Sequence, residues 1–384
     1  METDLLLGVL ALGAGQLVIT LWFLWRCWRR APAEWIPGVS VFIPCAGEVQ
    51  GLEGNIRSLL EQDYPGKREY VFVTPSAKDP AHRLIEKLLF VESLPARLLA
   101  SERAPVGCSG KVSDLLYALE REAKDAELLV FADCDVRVRR DWLSSLTSAL
   151  AEPGICVATS AALLIPGGKG FWGLMRLVWM AAGQPYLAAT RCVCGHSFAM
   201  RASDFRELEV AKIWARSVME DLSLSALLAG WRNVRFCGQA MPVSAEKCGF
   251  RDYLGQFNKW ILMFRVYLPL AWTMGLFMTL FKASVMFWSL TPPFSPGLFA
   301  VLWSVDAINL YILFTGLLRR IPDRFEGLHP PYRSGLPVYA ALSAPLLQLT
   351  YLVNFLNSLW THEIAWGRYL YRFSSDGRAE VAPR

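Results

Sequence analysis

The chain has 384 residues, of which 54% are hydrophobic and only 19% charged, against about 45–50% and about 25% in a soluble domain. That length accommodates a soluble domain plus membrane segments, and 15 Trp with 21 Phe suit bilayer interfaces. A net charge of +5, with no run of five or more basic residues, argues against a nucleic-acid partner.

Residues 5–25 form an uncharged, mostly apolar run long enough to span a bilayer as a helix. Arg26, Arg29 and Arg30 follow it, so the positive-inside rule places that flank in the cytoplasm and the N-terminus outside. A cleaved signal peptide has its charge before the apolar run. The order here is reversed, and residues 1–30 read as an anchor.

Residues 31–265 read as a cytoplasmic α/β domain. Strands are predicted at 39–44, 69–74, 97–100 and 128–132, and helices at 52–60, 82–90 and 113–124. This alternation predicts a parallel sheet with crossover helices, which binds ligands beyond the carboxyl ends of its strands. Residues 266–360 hold three further apolar runs, at 266–290, 298–318 and 336–360, with a tight connector at 291–297. Lys282 and Asp306 interrupt the first two. Arg319, Arg320, Arg324 and Arg333 place the following loop inside. Three full crossings would put the tail, 361–384, outside together with Arg368, Arg372, Arg378 and Arg384, against the positive-inside rule. A re-entrant last segment would return it inside, and Pro345, Gln348, Asn354 and Asn357 make that run the first to examine.

The strongest chemical signal is Asp133-Cys134-Asp135 after the apolar strand 128–132. Carboxylates two residues apart on a strand share a face, and Mg²⁺ or Mn²⁺ takes one or two carboxylates plus donor phosphates. The plainer reading is a strand-ending turn, which Asp also favours. Met219-Glu220-Asp221 opens a helical stretch reaching Gly230. It is either a first-turn charge cluster or a site whose Asp221 is a general base. Gln256-Phe257-Asn258-Lys259-Trp260 precedes a membrane run, where Trp260 also suits an interfacial anchor. Gly195-His196-Ser197 leads into an apolar stretch, a setting in which His is more often packed than catalytic. Residues 107–111 carry glycines without phosphate-loop spacing. The nine Cys include no C-x-x-C pair, and Cys192 and Cys194 alone are a weak metal signal. Free thiols are the default.

In order and spacing these segments resemble the ceramide glucosyltransferase-like branch of the family 2 and family 21 inverting glycosyltransferases. Glu48 resembles the acid after the nucleotide-binding strand, and Asp79-Pro80-Ala81 the D-P-A of the first family aspartate. Residues 107–115 are similar to G-x-N-x-K-[IV]-x-N-L, and Asp133 to Val138 to D-x-[DG]-I-R-V. Gly195 to Arg201 resembles the turn before the acceptor site, and Asp221 falls where the catalytic aspartate is expected. Gln256 to Trp260 is similar to [QR]-x-x-R-W, and residues 364–369 to an I-x-W-R end. Lys259 replaces the usual Arg and offers a point charge without a bidentate fork. Ser109 and Asp114 replace two Asn.

The resemblance implies a GT-A fold plus transmembrane helices, a divalent metal, a UDP-sugar donor and a membrane lipid acceptor. It assigns the nucleobase contact to Asp79 and donor binding to Glu48, Lys111, Asp133, Gln256, Lys259 and Trp260. Asp135 is the metal ligand and Asp221 the base, with Gly195, His196 and Glu220 in the acceptor region. A processive polysaccharide synthase shares such carboxylates but needs more helices for an export channel. A non-catalytic membrane scaffold or transport component is the other alternative: Lys282 and Asp306 hint at a polar pathway, although such residues more often face protein or snorkel.

Overall fold

The computed structural model describes residues 2–29, 35–92, 95–123, 126–229, 233–292, 295–321, 333–373 and 379–384. Arg30, Lys124, Gly230, Pro293, Phe294, Arg324 and Arg378 lie outside the described residues. In chain order, α1 (Glu2–Arg26) precedes β1 (Val39–Pro44), α2 (Leu52–Leu60), β2 (Arg68–Thr74), α3 (Pro80–Glu92), β3 (Arg97–Ala100), α4 (Gly110–Glu122) and β4 (Leu128–Ala132). Then come α5 (Trp142–Leu150), β5 (Ile155–Thr159), β6 (Leu163–Pro166), α6 (Phe171–Ala189), β7 (Ser197–Arg201), α7 (Ala202–Glu207), α8 (Val210–Trp214), α9 (Glu220–Leu228), β8 (Asn233–Phe236) and β9 (Val243–Glu246). The chain ends with α10 (Phe250–Tyr267), α11 (Pro269–Leu290), α12 (Pro296–Arg320), α13 (Leu336–Leu342), α14 (Ala344–Trp360), β10 (Glu363–Trp366), β11 (Tyr369–Phe373) and β12 (Ala379–Pro383).

These elements fall into two compact units. One contains residues 29–163, 191–245 and 362–384; the other contains 1–28, 164–190 and 246–361.

The first unit is built on a seven-stranded sheet in the order β3-β2-β1-β4-β7-β5-β8. The pairings among β1, β2, β3 and β4 are parallel. The four strands predicted from the sequence thus form the expected parallel arrangement, and β7, which was not predicted, runs antiparallel to both β4 and β5. Both β1 and β4 read as near-continuous apolar runs because helices cover both faces of a buried sheet, and every residue of β4 is buried. Phe131 of β4 lies opposite Phe198 of β7 and stacks on it with centroids 4.6 Å apart, while Trp214 meets Phe131 edge-on at 5.2 Å. The strand order reverses between β1 and β4, because the chain moves outward through β2 and β3 and then crosses back. That switch point leaves a crevice at the carboxyl ends of the two strands.

Residues 362–384 join this unit as a three-stranded antiparallel sheet, β10-β11-β12. Trp366 pairs with Tyr369, so β10 and β11 are linked by two residues, Gly367 and Arg368. Gly367 takes the positive φ of 60° that a two-residue hairpin needs at its first loop position.

The second unit is helical. Three of its helices, Glu2–Arg26, Pro269–Leu290 and Pro296–Arg320, are long and apolar enough to cross a membrane. The run predicted at 266–290 breaks at Leu268, and Pro269 opens α11, a position where its missing N–H costs nothing. The run predicted at 336–360 is two helices bent by 60° at Ser343. Within this unit Lys282 of α11 donates to Gln16 of α1 at 2.9 Å and to Asp306 of α12 at 2.5 Å. The two charges on these apolar helices thus satisfy each other, as buried ions must.

Candidate active site

The carboxyl ends of β1, β2 and β4 lie on one edge of the sheet because these strands are parallel. The loops beyond them carry Glu48, Asp79 and the Asp133-Cys134-Asp135 turn. Asp133 and Asp135 therefore lie in a turn just past β4, not on the strand. The side-chain amide of Asn55 donates to Cys134 O at 3.0 Å and fixes that turn.

Lys111, the second residue of α4, is the hub of the site. Its Nζ bonds Asp133 Oδ1 at 2.6 Å and also bonds Glu220 Oε1. Ser109 caps α4 by accepting from Val112 N–H at 3.2 Å, and its own N–H donates to Ser217 O at 3.2 Å, tying the start of α4 to the segment before α9. Burial opposes a charge on Lys111, but the neighbouring Asp133, Glu220 and Asp221 carboxylates outweigh it and hold the ammonium well above its ordinary range.

Glu220 and Asp221 open α9, and Glu220 is 1% exposed. Asp221 Oδ2 accepts from Gly195 N–H at 2.7 Å, and Oδ1 from Leu222 N–H at 2.7 Å. Burial first, and then the charge of Glu220, push the Asp221 carboxyl up to about 7; Lys111 and the two N–H donors pull the other way. An acid with its pKa near the working pH is suited to proton transfer. His196 enters through its backbone: its carbonyl accepts from Asp133 N–H at 3.4 Å. The turn 195–196 thus ties the Asp133 loop to Asp221.

Asp79 is 1% exposed and already engaged. Its Oδ1 accepts from Gly47 N–H at 2.7 Å and Ala81 N–H at 3.0 Å, and its Oδ2 from Arg368 Nη2 at 3.0 Å. The charges of Asp79 and Asp133 both act on the Cys45 thiol, which burial, the adjacent Cys134 and these carboxylates raise well above its usual range. Glu48 is exposed in the loop after β1, and none of the contacts above involves it.

Gln256, Lys259 and Trp260 lie on α10 of the helical unit. There Gln256 Oε1 accepts from Arg176 Nε at 2.8 Å, and Arg176 also pairs with Glu246 at 3.0 Å. Trp260 belongs to an aromatic group in which Trp179 stacks on Phe257 at 3.8 Å. Neither Arg176 nor Trp179 is among the residues expected from the sequence; the lone Arg within the apolar run 171–189 is the signal that points to the first.

Among the described residues, no three His, Cys, Asp or Glu side chains converge to hold a metal by themselves. The set at the end of β4, two carboxylates, fits a hard divalent cation that takes its other ligands from phosphates.

A family model described as Glycosyl transferase family 21 matches residues 5–379. Among solved structures, the mannosyltransferase from Pyrobaculum calidifontis in complex with GDP-Man and Mn²⁺ is 20% identical. That match covers 94% of this chain and 99% of the other, with a TM-score of 0.49. Glucosyl-3-phosphoglycerate synthase from Mycobacterium tuberculosis in complex with Mn²⁺ and UDP-glucose is 18% identical over 62% of this chain and 84% of the other, with a TM-score of 0.40.

Gly195 gives a direct check on the geometry. A Cβ there would lie 2.7 Å from Glu220 Oε1 and 3.1 Å from Asp221 Oδ2. Gly195→Ala is expected to lower kcat by about 100-fold, a loss of about 2.7 kcal/mol, with the melting temperature little changed. Wild-type turnover of that variant would show that the close approach of the turn to the two acids is not used.

Proposed function

This chain belongs to glycosyltransferase family 21, and we propose that it moves a hexose from a UDP-sugar to the hydroxyl of a ceramide-like membrane lipid with inversion at the anomeric carbon. It is a glycosyltransferase with a GT-A fold; donor, acceptor and residue roles are our reading. The observation that supports that reading best is the cluster in which Lys111 ties Asp133 to Glu220, beside Asp221 with its raised pKa.

In this scheme Asp221 accepts the proton of the acceptor hydroxyl as its oxygen attacks the anomeric carbon. The bond from that carbon to the diphosphate breaks, and the proton stays on the Asp221 carboxyl. One base suffices, because no covalent sugar intermediate forms. Gly195 N–H and Leu222 N–H hold the carboxylate in place. Asp135 would hold a divalent cation, whose contribution is to neutralise charge on the departing diphosphate, and Asp133 would face the nucleotide. Lys111 supplies a second, permanent positive charge beside Asp133. Glu48, Gln256, Lys259 and Trp260 are carried as donor-binding residues, and His196 with Glu220 as acceptor-region residues, on the family resemblance alone.

We also infer that the tail lies on the catalytic side. Residues 362–384 belong to the same compact unit as the sheet, so the chain between 245 and 362 crosses an even number of times. With α11 and α12 as the crossings, the bent pair α13 and α14 enters and leaves by one face. Arg26, Arg29 and Arg30 make that face cytoplasmic, which reconciles the basic tail with the positive-inside rule.

Five measurements follow. Asp221→Asn is expected to lower kcat by at least about 1,000-fold with donor binding within about twofold, and wild-type kcat/KM is expected to rise tenfold per pH unit up to about 7 and then level off. A flat profile through pH 7 removes Asp221 as the titrating base. Mass spectrometry of membrane lipids from cells with and without the gene, using isotope-labelled sugar precursors, is expected to show a monohexosyl lipid. The same transfer in membranes stops with EDTA and returns with Mg²⁺ or Mn²⁺; a long polysaccharide product would favour the synthase reading instead. A protease-cleavable tag after Arg384 is expected to be shielded in right-side-out vesicles and cut in inverted ones, and the opposite pattern refutes the topology.

A further inference from the structure

Asp79 and the tail meet in a way that the family motifs do not assign. A carboxylate offers about four lone-pair sites. Among the described residues three of those of Asp79 are filled: two on Oδ1 by Gly47 and Ala81, and one on Oδ2 by Arg368. One acceptor site therefore remains, on Oδ2. Arg368 sits at the tip of the β10–β11 hairpin and is 67% exposed, while Asp79 is 1% exposed. Its guanidinium has five N–H donors in a rigid fork, and the bond to Asp79 uses one of them.

The hairpin is seated by a second contact. The Tyr371 hydroxyl, on a ring 2% exposed, accepts from Gly110 N–H at 3.2 Å, and the Tyr369 ring lies against Gly110. Gly110 opens α4 next to Lys111. The tail thus touches both the loop after β2 and the helix that carries the site's central cation.

We propose that Arg368 is a specificity-determining residue of the donor site, which with Asp79 reads a nucleobase edge carrying a ring N–H beside a carbonyl. The ring N–H donates to the open Asp79 acceptor, and the carbonyl accepts from Arg368. Uracil and guanine present that edge; cytosine and adenine have an unprotonated ring nitrogen there, which would face the carboxylate. This inference rests on the reading of Asp79 as the nucleobase contact.

The test uses full-length protein in detergent, with UDP, GDP, CDP and ADP as calorimetric probes. Wild type is expected to bind UDP, GDP or both at least about tenfold more tightly than CDP and ADP, the factor of one hydrogen bond to a charged group. Arg368→Ala is expected to lose about tenfold in the favoured nucleotide and bring all four within about threefold, with Arg368→Lys in between. Arg372→Ala, which among the described residues breaks the exposed pair with Glu363 in the same hairpin, is expected to bind as wild type. If Arg368→Ala binds UDP as tightly as wild type or tighter, or weakens all four nucleotides equally, the proposal is wrong. Preference lost in Asp79→Asn but kept in Arg368→Ala overturns the role of Arg368 and leaves that of Asp79 standing. Preference kept in both variants overturns both.

Discussion

The contact on which the site depends is the ammonium of Lys111 held between Asp133 and Glu220. Three carboxylates, those of Asp133, Glu220 and Asp221, all act on this one partly buried ammonium, and without it they would repel one another at low dielectric. Without a resident cation the loops that bear them would move apart or take up protons. Lys111 comes from α4, Asp133 from the turn after β4, and Glu220 from α9, so a single side chain fastens three segments far apart in sequence. One acid is left with a different character. Asp221 receives two backbone N–H bonds but no direct bond from Lys111, and burial together with Glu220 raises it to about 7. Two adjacent acids thereby differ in their bonding partners.

The parts of the fold legible in the sequence are those whose residues meet buried surfaces on both sides. The runs at 39–44 and 128–132 gave their strands to the residue, because a parallel strand covered on both faces leaves no room for polar alternation. Between 140 and 215 the sequence offers no such contrast. Helix α6 is buried along most of its length and contains Pro185, so it has neither a polar stripe nor an uninterrupted helical pattern. Strand β7 is five residues long, and its place between β4 and β5 is set by pairings with sequence neighbours more than 35 residues away that local pattern cannot signal. The break at Leu268 was hidden because Pro269 is fully compatible with the first turn of the helix it begins.

The site shows the same division. The order of Asp79, Lys111, Asp133 and Asp221 along the chain was readable, and parallel strands bring the loops after β1, β2 and β4 to one edge. What each carboxylate bonds was not readable. The two departures from the family segment at 107–115 illustrate why. Ser109 caps α4, a task at which Ser and Asn are nearly equal. Asp114 is 4% exposed and bonded by Ser101, and burial pushes its carboxyl up to about 6. A buried, hydrogen-bonded acid of that kind occupies the volume of an Asn. Both substitutions keep local packing, and neither touches Lys111 Nζ.

The pairing of Arg368 with Asp79 spans 289 residues of sequence, a separation that looks prohibitive for a precise contact. Loop-closure entropy, however, grows only with the logarithm of loop length, and most of the intervening chain is folded into compact elements. The local cost of docking the tail is met by its own buried groups, among them Tyr371 and Phe373. If Arg368 reads the donor base with Asp79, the nucleotide site is assembled from both ends of the chain. It is then complete only after the helices between residues 250 and 360 have been made. In that case the order of synthesis itself withholds donor recognition until the helical unit has been synthesised.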